Sequence, residues 1–454
     1  MMLADPLEHA RVQTAAETVD CLIEACWVVP VEPEGVVLAD HSVAVRDGRI
    51  VAVLPTQEAI TRFVPKEHVQ LSAHALIPGL VNLHGHAAMT LMRGLADDLP
   101  LMQWLEKHIW PTEARHVSYD FVHDGSLLAC AEMLLGGVTT FNDMYFFPEA
   151  TARAALATGM RAAIGIIAIE FPTAYAADAD DYMQKGLAAR DSLKNEGRLS
   201  FCMAPHAPYT VSDRTFERIL VMAEELDLPI HVHLHETRDE IEGSLAAHGK
   251  RPLARLQALG LVGPRMIAVH GVHLDEGEID LLGRSGSSVA HCPSSNLKLA
   301  SGIAPVARML ECGVNLGLGT DGAASNNRLD LFQEMRLAAL LAKGASGKAD
   351  ALPANRALTA ATLGGARALG LENLIGSLIP GKAADICAVR LDYPPLIPCY
   401  EPVSHLVYSA GREHVTHVWV DGTPLVREGR LVATDEVDLY RRIRLWQNKL
   451  LLET

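Results

Sequence analysis

The chain has 454 residues, 49% of them hydrophobic, which is enough to bury a large core in one barrel with additions or in two or three domains. Its 39 lysines and arginines against 55 aspartates and glutamates give a net charge of -16 at pH 7. That charge opposes binding to nucleic acid or to an anionic membrane surface, so we expect a small-molecule partner, no nucleic acid and no membrane.

The cysteines and the N-terminal residues indicate the compartment. The eight cysteines are scattered without a CxxC pair, as is typical of reduced thiols inside the cell. The first residues mix acidic and basic side chains and lack the apolar core of a signal peptide, and no apolar run reaches spanning length. These features predict a cytoplasmic protein.

Strand-like stretches joined by turn residues occur at both ends of the chain. They lie at 21–30, 42–46, 49–54, 384–390, 415–420 and 424–431, with Asp47-Gly48 and Asp421-Gly422 as hairpin turns. Neither end alone buries enough surface, so we expect the two ends to pair. The prediction is one small β-sandwich domain formed from residues 1–75 and 376–454, with a terminal helix.

Between these ends, in residues 76–375, short apolar strands alternate with helical patterns. Eight candidate strands lie at 76–81, 138–141, 161–169, 199–203, 230–233, 266–269, 288–290 and 314–319. Helical spacing of apolar residues occurs at 121–136, 212–226, 275–283, 303–312 and 329–342. This alternation predicts an α/β architecture, a (β/α)8 TIM-type barrel that forms the catalytic domain.

Histidines and acidic residues follow six of the eight predicted strands. The first strand runs into His84 and His86, which share a face because alternate residues of an extended chain point the same way. The other residues at strand ends are His206, His233, His235, Glu236, His270, His273, His291 and Asp321. Barrel enzymes place their chemistry at these ends, so we expect most of these side chains to meet in one site.

These residue types favour a metal centre with one ion. His84, His86, a histidine of the strand at 230–233 and Asp321 would supply nitrogen and oxygen ligands, which suit Zn²⁺ and also Fe²⁺. The strand at 199–203 has no lysine that could be carbamylated into a bridging ligand. A single ion is therefore favoured over a dinuclear centre.

The same region suggests how a reaction could proceed. Three histidines share one face of the fifth strand, so spacing leaves the choice of ligand among them open: His231, His233 and His235. A metal ion lowers the pKa of water and so supplies hydroxide as a nucleophile. Glu236 is close enough to move a proton between that water and a ring nitrogen of a substrate. His270 would orient the hydroxide, and Asp321 would take a proton while it stays a ligand.

Six motifs in order resemble those of the amidohydrolase superfamily. They are PGLVNLHGHAAM, HLHET, AVHGVH, HCPSSNLKLASGIAPV, LGTDGAASNN and GKAADICAV. Within that superfamily the chain resembles, over nearly its whole length, the 5'-methylthioadenosine/S-adenosylhomocysteine deaminases, which are adjacent to the triazine chlorohydrolases.

The resemblance implies roles for individual residues. It implies His84, His86, His233 and Asp321 as the ligands of one Zn²⁺ per subunit, with Fe²⁺ as the alternative, Glu236 as the proton shuttle, and His270 beside the nucleophile. It also implies that Glu113, in WPTEARH, holds ribose hydroxyls and that His206, Glu236 and Asp321 contact the substrate. A homodimer or higher homo-oligomer is what the family suggests.

The implied reaction is hydrolytic deamination of an adenine ring, which converts methylthioadenosine to methylthioinosine and ammonia. S-adenosylhomocysteine carries a further carboxylate, which arginine binds best, yet no arginine lies between Arg161 and Arg190. This favours methylthioadenosine or adenosine as the substrate. Two alternatives are a guanine, cytosine or triazine hydrolase on the same scaffold, and a metal-binding protein without catalysis.

Overall fold

The computed structural model describes residues 17–452, so the first sixteen residues of the predicted segment 1–75 lie outside the described part. The strands are β1 (Glu17–Val28), β2 (Leu38–Arg46), β3 (Arg49–Pro55), β4 (Phe63–Pro78), β5 (Leu80–Gly85), β6 (Val138–Asp143), β7 (Arg161–Ala168), β8 (Leu199–Pro205), β9 (Ile230–Leu234), β10 (Met266–His270), β11 (Ser288–His291), β12 (Asn315–Leu318), β13 (Ile386–Arg390), β14 (Val415–Val420), β15 (Thr423–Arg427) and β16 (Arg430–Leu431).

Helices alternate with these strands. They are α1 (Thr56–Arg62), α2 (Leu101–Trp104), α3 (Trp110–His116), α4 (Tyr119–Leu135), α5 (Pro148–Thr158), α6 (Ala179–Leu193), α7 (Asp213–Leu226), α8 (Arg238–His248), α9 (Pro252–Ala258), α10 (Glu276–Ser285), α11 (Pro293–Lys298), α12 (Val306–Glu311), α13 (Ala323–Asn326), α14 (Leu331–Ser346), α15 (Ala354–Thr359), α16 (Gly365–Ala368), α17 (Pro402–Tyr408) and α18 (Glu436–Leu451). Among the described residues, no helix is both long and apolar enough to cross a membrane.

Strands β5 to β12 form one parallel sheet in chain order. The ends of that sheet approach each other, because the backbone N–H of Asp321, just after β12, donates to the carbonyl of His84 in β5 at 3.0 Å. Strands such as β7 are buried along their whole length, as expected where helices cover a parallel sheet. The predicted (β/α)8 barrel is confirmed.

The two ends of the chain form a second sheet of mixed direction, in the order β16-β15-β14-β13-β4-β1-β2-β3. Strand β4 lies at its centre, parallel to β1 and antiparallel to β13. The sheet bends until its two halves touch, since the N–H of Ile50 in β3 donates to the carbonyl of Lys382 near β13 at 2.9 Å. The predicted pairing of the chain ends is confirmed, while the exact domain boundaries stay predictions.

The first predicted barrel strand, 76–81, is divided between the two sheets. Strand β4 ends at Pro78 and β5 begins at Leu80. Gly79 separates them, and a Cβ there would lie 2.2 Å from the side chain of Thr139, so only glycine fits. The prediction of one strand was wrong because the apolar run continues across this break and hydropathy gives no sign of it.

A helical insertion follows β5 and was not predicted in the sequence. It begins with a 3-10 turn, Ala87–Met92, and continues through α2, a π-helical turn at Leu105–Ile109, and α3. Residues of this insertion and residues at the ends of the barrel strands line one common cavity. The insertion therefore forms one wall of the candidate site.

Candidate active site

Four side chains at the carboxyl ends of three barrel strands converge on one point. His84 lies near the end of β5 and His86 directly follows that strand, His233 lies in β9, and Asp321 follows β12. One donor atom from each lies within 4.8 Å of the others. His84 Nε2 and His86 Nε2 each lie 3.2 Å from Oδ1 of Asp321. Three imidazoles and one carboxylate form a donor set that suits Zn²⁺.

Two of the three imidazole rings in this group are held through Nδ1 by backbone carbonyls. Nδ1 of His86 lies 2.6 Å from the carbonyl of Met144, and Nδ1 of His233 lies 2.7 Å from the carbonyl of His206. A carbonyl can only accept, so both Nδ1 atoms carry the proton and both Nε2 atoms offer a lone pair. Carbonyl partners of this kind orient histidine ligands in metalloproteins, so these residues fit a metal ion.

The three histidines in β9 and directly after it have different surroundings in the structure. His233 belongs to the converging group. His231 instead lies behind it, with Nε2 2.9 Å from Nδ1 of His84. His235 has a left-handed backbone, with φ of 55°, and its Nε2 accepts from the N–H of Leu253 at 3.0 Å. His231 and His235 therefore support the site from outside it.

Asp321 is held by partners on both of its oxygens. Oδ2 accepts hydrogen bonds from the hydroxyls of Ser295 and Ser325, at 2.6 and 2.7 Å. Burial alone would raise the pKa of this carboxyl, but the neighbouring imidazoles of His84 and His86 hold it well below its usual range. Asp321 is therefore ionised and can bind a cation through Oδ1.

Glu236 and His270 face the cavity beside the converging group. Glu236 Oε2 lies 3.7 Å from His270 Nε2. The turn that carries Glu236 is fixed by Glu240, which accepts the backbone N–H groups of His235 and Glu236 at 3.0 and 2.8 Å. Burial raises the pKa of Glu236, which brings this carboxyl closer to the range useful for proton transfer.

Glu113 and His206 also line this cavity. Glu113 lies in α3, and Oε1 accepts the hydroxyl of Tyr145 at 2.6 Å. Burial raises the pKa of Glu113 to about 7. Nδ1 of His206 lies 3.0 Å from the hydroxyl of Thr210, which itself donates to the carbonyl of Ala207, so the ring donates through Nδ1 and keeps Nε2 as an acceptor.

The cavity has a volume of approximately 590 Å³ and is largely apolar away from the histidines. No lysine or arginine is among its described lining residues. Trp110 lines it, and its ring centroid is 6.1 Å from that of Phe171. The cavity is of the size and character that bind small, mostly uncharged molecules.

Besides His235, two further histidines at predicted strand ends lie outside the site. Nε2 of His273 donates a hydrogen bond to the carbonyl of Ser301 at 2.8 Å. His291 is buried at the end of β11 and does not line the cavity. These positions agree with the expectation that most, and not all, of the residues at strand ends meet in one site.

Several supporting residues were missed in the sequence. Asn296, Ser295 and Ser325 contact His270 or Asp321, and Tyr145 contacts Glu113. They are single polar residues on loops and short helices, with no regular spacing from the histidines. Ser295, Asn296 and Ser325 fall within the motifs HCPSSNLKLASGIAPV and LGTDGAASNN, which mark the segments but assign these residues no role, whereas Tyr145 lies outside all six motifs.

Comparisons with known proteins agree with this geometry. A model described as "Amidohydrolase family" matches residues 75–425. A 5-methylthioadenosine/S-adenosylhomocysteine deaminase of Saccharophagus degradans is 48% identical over 95% of this chain and 97% of its own. The superfamily and the group that the motifs resemble are confirmed.

Solved structures give the same result. An adenosine deaminase from Xanthomonas campestris with bound zinc is 50% identical, with a TM-score of 0.95 over 96% of this chain and all 100% of that one. An atrazine chlorohydrolase from Arthrobacter aurescens complexed with zinc is 25% identical, with a TM-score of 0.86 over 94% and 100% of the two chains. The chain belongs to the amidohydrolase family.

Proposed function

We propose that this protein is a metal-dependent hydrolytic deaminase that converts 5'-methylthioadenosine, or adenosine, to the inosine derivative and ammonia. The observation that carries the proposal is that Glu236, His86, His233 and Asp321 line one cavity that also contains Glu113. His84 is buried beside them, with Nε2 3.2 Å from Oδ1 of Asp321. Glu236, an acid–base residue beside a possible cation site, is suited to hydrolysis of a heterocycle. Glu113, a second carboxylate, is suited to accept hydrogen bonds from sugar hydroxyls.

One zinc ion per subunit, held by these three histidines and Asp321, would supply a water molecule of lowered pKa as the nucleophile. Ser295 and Ser325 keep Oδ2 of Asp321 occupied, so Oδ1 is the oxygen that would be available to hold the cation. The carbonyls of Met144 and His206 hold the rings of His86 and His233 in the required tautomer.

Proton transfer is assigned to Glu236. Water adds to the amino-bearing carbon of the adenine ring, and Glu236 takes one proton from that water and gives it to the adjacent ring nitrogen. The second proton goes to the amino group, and ammonia leaves as the carbonyl forms. His270, whose Nδ1 donates to Asn296, presents Nε2 to the same region and orients the attacking water.

Substrate orientation is assigned to Glu113 and His206. Glu113 would accept hydrogen bonds from ribose hydroxyls, and His206 would accept one through Nε2. The apolar remainder of the cavity suits a methylthio group, and its described lining offers no cation to the carboxylate of S-adenosylhomocysteine. Methylthioadenosine and adenosine are therefore preferred to the longer substrate.

The test is a panel of substrates for the zinc-loaded protein, with ammonia release and the ultraviolet change of adenine to hypoxanthine as readouts. We expect turnover of methylthioadenosine and adenosine, and kcat/KM for S-adenosylhomocysteine lower by about a hundredfold because its charges stay unpaired in the cavity. Turnover of guanine, cytosine or a triazine alone would contradict the proposal. The cytoplasmic location and the homo-oligomer stay predictions.

A further inference from the structure

We propose that Tyr145 is a positioning residue for sugar recognition, whose hydroxyl holds Oε1 of Glu113 so that Oε2 is offered to a ribose hydroxyl. This inference rests on the proposed function, because it takes Glu113 as the residue that binds the sugar. None of the sequence motifs assigns a role to Tyr145. It follows β6 by two residues and lines the same cavity as Glu113 of α3.

The tyrosine is rigidly placed. Its side chain is 3% exposed, and its ring centroid lies 5.1 Å from that of Phe146 and 6.4 Å from that of His86. Both neighbours belong to segments that directly follow barrel strands. The hydroxyl therefore has a fixed position relative to the proposed metal-binding side chains, and a group that binds this hydroxyl is held in place as well.

Glu113 is the only described partner of that hydroxyl. Tyr145 donates to Oε1 at 2.6 Å, a length typical of an O–H group that binds an ionised carboxylate. No hydrogen bond from a described residue reaches Oε2, although Glu113 lines the cavity. One oxygen is therefore fixed by the protein, and the other is available to a ligand.

The same hydrogen bond joins the helical insertion to the barrel. Glu113 lies in α3, at the end of the stretch that includes α2 and the π-helical turn. The first part of the insertion has its own hydrogen bonds to the barrel domain, such as Thr90 to the carbonyl of Gly125 and Lys298 to Asp97. In the later part, the hydrogen bonds of Thr112 to the carbonyl of His108 and of Arg115 to the carbonyl of Pro111 stay inside the insertion. Tyr145 thus fixes how far the carboxyl of Glu113 lies from the adenine site, which sets the distance between sugar and base recognition.

The test compares a ribonucleoside with its deoxy analogues in the Tyr145→Phe variant. The phenylalanine keeps the ring and removes the hydroxyl. We expect the dissociation constant for adenosine to rise about tenfold, as for loss of one hydrogen bond to a charged group. One of the two analogues, 2'-deoxyadenosine or 3'-deoxyadenosine, lacks the hydroxyl that Glu113 binds. For that analogue we expect the dissociation constant to change by less than about twofold.

Two further variants complete the cycle. In the Glu113→Gln background, Tyr145→Phe should add less than about twofold, because both changes act through the same oxygen atoms. Tyr182→Phe is the matched control, since Tyr182 is a buried tyrosine of the same aromatic cluster whose hydroxyl donates to Thr173 at 2.6 Å. Any effect of that control should be equal for ribose and deoxyribose nucleosides.

Calorimetry on the metal-free protein measures these dissociation constants without turnover. An equal loss for adenosine and both deoxy analogues in Tyr145→Phe would overturn the inference and leave the tyrosine as a packing residue. Failure of the proposed function would show separately, as zinc-loaded wild-type protein that releases no ammonia from any adenine nucleoside. The binding data decide the role of Tyr145 in either case.

Discussion

His270 and Glu236 face each other in the cavity, with Nε2 of the histidine 3.7 Å from Oε2 of the glutamate. The histidine ring is fixed from behind, because its Nδ1 lies 2.9 Å from Oδ1 of Asn296. The backbone at His270 is left-handed, with φ of 72°, a conformation that costs a non-glycine residue roughly 1 to 3 kcal/mol. The fold therefore holds this ring in place at some cost in stability.

Removal of the acceptor behind His270 should lower the reaction rate. In Asn296→Ala, Nδ1 loses its buried partner and the ring can adopt the other tautomer, so we expect kcat to fall about tenfold to a hundredfold with unchanged zinc content. Asn296→Asp keeps an acceptor at the same position and should retain more activity than the alanine variant. Equal kcat values for the two variants would contradict this role.

The serines beside Asp321 should control metal affinity. Ser295→Ala and Ser325→Ala each remove a donor from Oδ2, so we expect zinc to bind about tenfold more weakly in each variant, as is usual for loss of a partner to a metal ligand. Competition with a chelator measures the dissociation constant. Ser294→Ala is the control, because the hydroxyl of Ser294 accepts from Gln333 instead.

Sugar binding should depend on pH through Glu113. Its pKa is raised by burial to about 7, so in the metal-free protein the carboxyl gains a proton as pH falls through about 7 and becomes a weaker acceptor. We expect the affinity for adenosine to be highest above that pH and to decline below it. Zinc, as a nearby cation, should move the decline to lower pH. A Glu113→Gln variant whose affinity still declined in that range would contradict the assignment.

A buried ion pair should stabilise the contact between the barrel and the mixed sheet. Arg161, at the start of β7, is 3% exposed and binds both oxygens of Asp385, at 3.1 and 3.3 Å. Arg161→Met leaves that carboxylate buried without its cation, which costs about 3 to 5 kcal/mol. We expect a clear drop in the midpoint of thermal unfolding, and a smaller one for Arg198→Met, whose guanidinium is more exposed.

The barrel could be predicted because its strands are short apolar runs whose ends carry histidines. Hydrophobic periodicity did not predict the strand boundary at Gly79, because one apolar run there continues from one sheet into the other. It also did not predict the first half of β4, where exposed polar residues alternate with partly buried ones. The insertion after β5 was missed because its helical turns are short and irregular. The pattern of apolar and polar residues indicates which face of a helix or strand is buried, but it gives little information about where that helix or strand ends.

The candidate site, like the fold, was only partly predictable from the sequence. Strand alternation placed His84 and His86 on one face, but it could not choose among the histidines of β9, since the outward rotation of His235 depends on its left-handed backbone. Glu113 was found through the family resemblance alone. Tyr145 and Asn296 act through contacts made only in the folded chain, so no spacing rule reveals them.

The measurement that tests the account most directly is ammonia release from methylthioadenosine by wild type and by Glu236→Gln, with zinc content measured on the same samples. Glu242→Gln, an exposed glutamate of α8, is the matched control. We expect wild type and the control to be active, and Glu236→Gln to retain its zinc and lose activity by about 10² to 10⁴. Wild-type rates in Glu236→Gln, or a zinc-loaded wild type that leaves methylthioadenosine intact, would contradict the account.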